Sequence, residues 1–345
     1  MQTTAPRSPI LRLAFAAAIM GAIMGSALAA DAAEIKERSI KLPVVNAADH
    51  PQAIGAAKFA ELVEQKSGGK IKIRVYPGGV LGGEQQVASA MQGGIVEASM
   101  MGPAQLVGHI KEFMVYDFPF AFANEREADA VLDGPFTRKL LEKMPAKGLV
   151  GLVFMEHGYR SITNSKRPIQ KMEDIQGLKI RTIQSPIYLD FFNALGANPV
   201  PMPFTEVYTA LETKALDGQE NPYSTVEASK LYEVQKFMSA TRHIYNPQLL
   251  MVSKKFWDTL SADERKIFED AASETRDYQR KVSRDMDQKS RQSLIKIGMQ
   301  INDLPPQEIA RMREKVKPVI DKYTAQLGPE LVQEFYAEIE KARDK

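Results

Sequence analysis

A short run over 40–45 is apolar except for Lys41, and a turn follows over 46–51. Ala56, Phe59, Ala60 and Val63 then recur at the spacing that places them on one face of a helix, up to Gly68 and Gly69, which stop it. Ile71, Ile73 and Val75 alternate with lysine and arginine, the pattern of a half-buried strand. The three segments predict a β-α-β unit. Parallel strands joined by helices collect ligands at their carboxyl ends, where the strand order switches.

The same alternation restarts downstream. A helical stretch over 138–144 precedes a strand-like run carrying Arg160 and Ile162, and a further segment spans 173–180. Val207, Ala210 and Leu211 share one face of a short helix over 206–213, and the run LLMVS at 249–253 reads as a strand. Ser261 with Glu264 forms a capping box that opens a long helix. Ile309, Met312, Val316, Val319 and Tyr323 mark another, ending near Gly328, in which Pro318 should either kink the helix or sit where its missing N–H is not needed. No linker rich in serine, glycine or proline divides the chain, and a chain of this length seldom folds around one core. The expected fold class is α/β, with two lobes, a ligand cleft between them and long helices crossing from one to the other.

The amino terminus adds a location. Arg7 and Arg12 lead into an apolar run over 13–24, and Ala27, Leu28 and Ala29 follow, which together make a secretory leader cleaved near Ala29. The run is shorter than the roughly 20 residues of a membrane-spanning helix. No stop-transfer flank supports the competing reading, an uncleaved anchor. The sequence has no cysteine, and the mature chain is long enough to bury its cores without disulfides. Lysine and arginine number 45 against 43 acids, for a net charge of +2, which argues against nucleic acid or an anionic membrane as partner.

Candidate chemistry is sparse. The chain lacks a cysteine nucleophile, a GxSxG elbow and an HExxH pair, and His50, His109, His157 and His243 show no metal-ligand spacing. The glycines of GGVLGG at 78–83 are not followed by the lysine and serine or threonine of a phosphate loop. No catalytic residue, metal ligand or cofactor is therefore assigned. The enzymatic alternative is a secreted hydrolase using Glu84 or Glu206 as general acid or base. Arg181 is more telling, because GLKIRT places it on a short strand among apolar neighbours. A buried guanidinium requires an anionic partner, and a bound organic acid would serve. Asn221, in a turn before Pro222, is a second polar candidate.

PFAF at 119–122, HGYRSITNSKRPI, GLKIRT, GANPVPMPFTEVYTAL and DGQENPY occur in an order and spacing that resembles the DctP-like solute-binding proteins of tripartite ATP-independent periplasmic (TRAP) transporters, over essentially the whole mature chain. The resemblance implies a monomeric, two-lobed periplasmic receptor that closes on an organic acid, a C4-dicarboxylate or related carboxylate. It would deliver that acid to the small and large membrane subunits of an ion-driven permease. Lobe I is expected over 30–157 and 247–286, and lobe II over 158–246 and 287–345. By the same resemblance Arg181 makes the salt bridge to the ligand carboxylate, Arg160 is a second ligand-facing arginine and Asn221 a polar contact. Phe204 and Tyr208 line the pocket, and Asn46 and Glu84 face it from lobe I. His50, alone in a turn, is a weaker candidate, expected to face solvent rather than touch the ligand. Met100 and Met101 stand where other members carry a polar group, and two readings stay open: one of them, at most one by strand alternation, lines the cleft as an apolar wall that disfavours polyhydroxylated acids, or both point into the core. A receptor for another transporter or a sensor would share this fold.

Overall fold

The computed structural model describes residues 1–2 and 34–343; the leader and its cleavage site at Ala29 lie outside the described residues. β1 (Arg38–Pro43) and β2 (Ile71–Tyr76) pair in parallel, from Arg38 opposite Ile71 to Pro43 opposite Tyr76. The helix Pro51–Lys66 joins them. It begins at Pro51, whose missing N–H costs nothing in a first turn, and ends before Gly68 and Gly69, both at positive φ. Its apolar face, with Ala56, Phe59 and Val63 fully buried, packs towards Phe268 and Ala272 of the helix Ala262–Ile297. Gly55 permits the approach: a Cβ there would meet Gln279 Cγ at 2.5 Å.

The helix Ala262–Ile297 runs 36 residues, about 54 Å at the standard rise, and is the brace of the molecule. Ser261 Oγ accepts from the Glu264 amide at 3.2 Å, and Glu264 Oε2 accepts from the Ser261 amide at 2.9 Å. Glu264 also takes a two-pronged bond from Arg38, which ties β1 to the head of the helix. No helix among the described residues is long and apolar enough to cross a membrane.

The larger sheet has the order β3-β8-β4-β7-β5-β6, with β9 on the other half of β8. Its strands are β3 (Ala98–Met101), β4 (Leu149–Asn164), β5 (Lys179–Thr182), β6 (Asn198–Pro201), β7 (Gly218–Asn221), β8 (Phe237–Ser253) and β9 (Gln300–Asp303). β4 and β8 form one long antiparallel ladder whose register slips between Glu156 and Gly158 and again between Arg160 and Ile162. Gly158 stands at φ +113°, a conformation that side chains resist. Extra residues of this kind bend a strand and re-aim the side chains beside it. The far half of β8 pairs with β9 and the near half with β3, so the two long strands serve both ends of the fold.

Two expectations change. Asn221 ends the buried strand β7 and does not lie in a turn. The sequence GQEN has low strand propensity, and it is held by side-chain bonds: Gln219 Nε2 donates to Thr163 Oγ1 at 2.9 Å and Asn221 Nδ2 to Gln219 Oε1 at 2.5 Å. Met100 and Met101 are 1% and 0% exposed and enter separate cores on opposite faces of β3. Period-two alternation sends them apart, and neither forms a cavity wall. Pro318 lies within the helix Pro306–Leu327, on its exposed side.

Candidate functional site

The carboxyl ends of β1, β3, β5 and β7 and the bent middle of β4 and β8 converge on one cavity. Asn46 reaches it from the loop after β1, Glu84 from the head of the helix Glu84–Gly93, and Arg160 from β4. Arg181 arrives on β5, Phe204 from the turn before the helix Val207–Glu212, and Asn221 from the end of β7. The cavity volume is about 30 Å³. That is room for one or two waters, so the two walls stand close together.

Two buried arginines meet here in unlike circumstances. Arg160 is 2% exposed and satisfied: Nε and Nη2 donate to the Glu220 carboxylate, Nη2 also to the Glu220 carbonyl, and Nη1 to Asn246 Oδ1 at 3.3 Å. Glu220 in turn lies 3.2 Å from His243 Nε2. Arg181 is equally buried, but Nε and Nη2 donate only to the Met202 carbonyl, at 3.0 and 2.8 Å. Among the described residues no carboxylate lies within ion-pair reach of it. Burial pushes its pKa down to about 10, with repulsion from Arg160 adding to the fall and Glu220 and Glu84 opposing it. The Phe204 ring centroid is 5.8 Å from the Arg181 guanidinium carbon and covers it.

Glu84, across the cavity, is half-buried and accepts from Gln105 Nε2 at 2.8 Å. Burial raises its carboxyl above the usual range, and Arg181 and Arg160 pull it back. With Arg160 neutralised by Glu220, Arg181 keeps only the Met202 carbonyl as a direct acceptor and faces Glu84 across the cavity without an ion pair.

Tyr208 is not among the cavity residues. Its hydroxyl donates to Glu233 Oε2 at 2.6 Å in a separate surface depression. Phe204 belongs to a tight turn and Tyr208 to the helix after it, so helical spacing does not align the two. His50 caps the helix Pro51–Lys66 and is fully buried, where solvent exposure was expected. Its Nδ1 accepts from the Gln52 amide at 3.0 Å, an obligatory donor at a helix start.

The sequence patterns missed His157, Gln105 and Asn246, which complete the wall. Each leaves one buried polar atom without a protein partner among the described residues: His157 Nδ1, Gln105 Oε1 and Asn246 Nδ2. Buried polar atoms are almost always paired, so three orphans lining one cavity point to hydrogen-bonding groups on whatever fills it. No spacing signal could have found them, because they come from three different elements.

Known proteins are similar to this chain. The family model for DctP, bacterial extracellular solute-binding protein, family 7, matches residues 43–326. The chain is 34% identical over 323 residues to the C4-dicarboxylate-binding periplasmic protein DctP of Rhodobacter capsulatus, covering 91% of this chain and 96% of that one. The sugar acid binding protein DctPAm of Advenella mimigardefordensis, solved in complex with galactonate, is similar at a TM-score of 0.88 and 42% identity, over 89% of this chain and 99% of that one. A TRAP periplasmic solute binding protein from Ochrobactrum anthropi, with its C-terminus in the ligand-binding pocket, is similar at a TM-score of 0.81 and 51% identity, over 90% and 97%.

Proposed function

The chain belongs to the DctP family of bacterial extracellular solute-binding proteins, the receptors of TRAP transporters, and on that premise we propose that it captures a hydroxylated carboxylate such as a sugar acid. The observation that carries this reading is Arg181, a buried guanidinium with no anionic partner within reach among the described residues, in a cavity that also holds unpaired donors and an unpaired acceptor. A carboxylate offers the arginine two parallel charge-assisted bonds. Hydroxyl or carbonyl groups on the body of the ligand satisfy the remaining atoms. Asn46, Glu84, Phe204, Asn221 and Arg160 are the contacting residues of this reading. The galactonate complex of the similar Advenella protein supports a sugar acid, and the Rhodobacter relative keeps a C4-dicarboxylate as the second reading.

In this reading the leader is removed near Ala29 and the mature monomer binds its acid in the periplasm without chemical change. It then passes the acid to the small and large membrane subunits of a permease. The lobes part along 157/158 and 246/247, beside the register slip of β4, while the helix Ala262–Ile297 runs unbroken from one to the other. A cavity of about 30 Å³ admits no six-carbon acid as it stands, so entry requires the walls to separate. A thermal-shift panel of galactonate, gulonate, erythronate, malate and succinate on the mature protein tests the proposal. Ligand at 100 times its dissociation constant stabilises by about 2.7 kcal/mol. A panel in which no acid raises the melting temperature refutes the reading, and tightest binding of succinate favours the dicarboxylate.

A further inference from the structure

Behind the orphaned nitrogen of His157 runs a short chain of hydrogen bonds that begins at a backbone amide. Gln52 N–H donates to His50 Nδ1 at 3.0 Å. His50 Nε2 lies 3.0 Å from Thr225 Oγ1, and Thr225 Oγ1 lies 3.1 Å from His157 Nε2. All three side chains are buried, and the imidazole centroids are 5.2 Å apart. Both rings are neutral at ordinary pH. Burial pushes His50 down to about 3, and burial with repulsion from His50 and Arg160 holds His157 well below its usual value.

The proton positions then follow one from another. A backbone amide can only donate, so His50 Nδ1 bears no proton and the ring carries its single proton on Nε2. That proton goes to Thr225 Oγ1, and the one hydroxyl proton of Thr225 goes on to His157 Nε2. His157, neutral, is left with its proton on Nδ1, the atom that has no partner among the described residues in a residue that lines the cavity. Beside it, Asn221 Oδ1 lies 3.4 Å from the same Nε2, receives no proton from it, and keeps its capacity to accept.

The geometry points to His157 as a specificity-determining donor: His50 and Thr225 fix its proton on Nδ1, so that the cavity demands an oxygen on the ligand body at that position, which a hydroxyl supplies. This rests on the receptor reading and extends it from a carboxylate to a placed hydroxyl. His50 and Thr225 are positioning residues that never touch the ligand. They also join the head of the helix Pro51–Lys66 to the helix Tyr223–Ala228 behind the site, so the donor is set only when those two elements are together.

Long-range nitrogen–proton NMR on the full protein reads the tautomer without any ligand. The expected pattern has His157 protonated on Nδ1 and His50 on Nε2, and a His157 proton on Nε2 overturns the proposal. Calorimetry with galactonate and each of its monodeoxy analogues supplies the second arm. One analogue should bind the wild type about tenfold more weakly, the scale of one lost hydrogen bond. Thr225→Val, which keeps the shape and removes the hydroxyl, should shrink that discrimination, and His157→Phe should abolish it. Discrimination that survives in both variants overturns the proposal while leaving the receptor reading intact. Failure of every acid in the earlier panel removes the receptor reading and this one with it.

Discussion

Replacing Arg181 by methionine separates binding from folding. The fall of its pKa to about 10 corresponds to roughly 3 kcal/mol set against the charged form in the unliganded protein. Removing the charge relieves that strain. It also deprives the Met202 carbonyl of its two donors, a loss of about 1 to 3 kcal/mol for a buried acceptor left unpaired. The two effects oppose each other, so Arg181→Met should unfold within about 2 kcal/mol of the wild type. Ligand affinity should fall by about 2 to 5 kcal/mol, the range for truncating one partner of a buried charge pair. Arg181→Lys keeps the charge without the planar fork and should lie between the two. Urea unfolding of the free proteins and calorimetry with the tightest acid of the panel measure both quantities. A variant that loses several kcal/mol of stability yet binds normally when folded would show that Arg181 is structural and that Arg160 holds the carboxylate.

Three further outcomes are expected. Small-angle scattering should report a larger radius of gyration without ligand than with it, because the cavity seen here is too small to load; an identical profile at saturation would refute closure. Glu220→Gln leaves Arg160 buried without its counter-charge and should destabilise the protein by about 3 to 5 kcal/mol in urea, and an effect below about 1 kcal/mol would mean that the pair contributes little. Asp117, fully buried with Oδ2 unpartnered, has its pKa pushed up to about 8, chiefly by burial. A raised folded value means that its contribution is present at low pH and fades as pH rises towards 8. Asp117→Asn, which imitates the protonated acid, should therefore match the wild type only below about pH 4, the unfolded value, and gain on it in melting temperature from about pH 4 up to pH 8; a gap that narrows or reverses over that range would be contrary to this account.

What the chain discloses to a reader depends on whether a residue's neighbours are close in sequence. The β-α-β opening, the Ser261 and Glu264 cap and the apolar stripe through Met312, Val316 and Tyr323 are local patterns, and the structure carries all of them. Arg181 was conspicuous because a charge stands on an apolar strand. β7 and the first half of β8 were hidden, since their glutamines, asparagines, histidine and arginine break the apolar alternation and find partners on other strands. His50 and His157 look like ordinary surface histidines until the fold brings Thr225 between them. The two methionines misled for the opposite reason. Position along the chain placed them beside the cleft and alternation left one of them free to line it, whereas both sides of β3 are covered and each methionine enters a core.

The cavity draws Asn46 and Gln248, about 200 positions apart, onto one wall, and sets Glu84 opposite Arg181. Contacts of such long range form late in folding, after helices and neighbouring strands have already gathered. A refolding chain should therefore regain most of its circular dichroism before it can hold an acid, and a cut anywhere in the middle of the sequence would leave two fragments, neither with a complete site. Recovery of ligand binding is in consequence a stricter measure of native structure in this protein than any spectrum of its secondary structure.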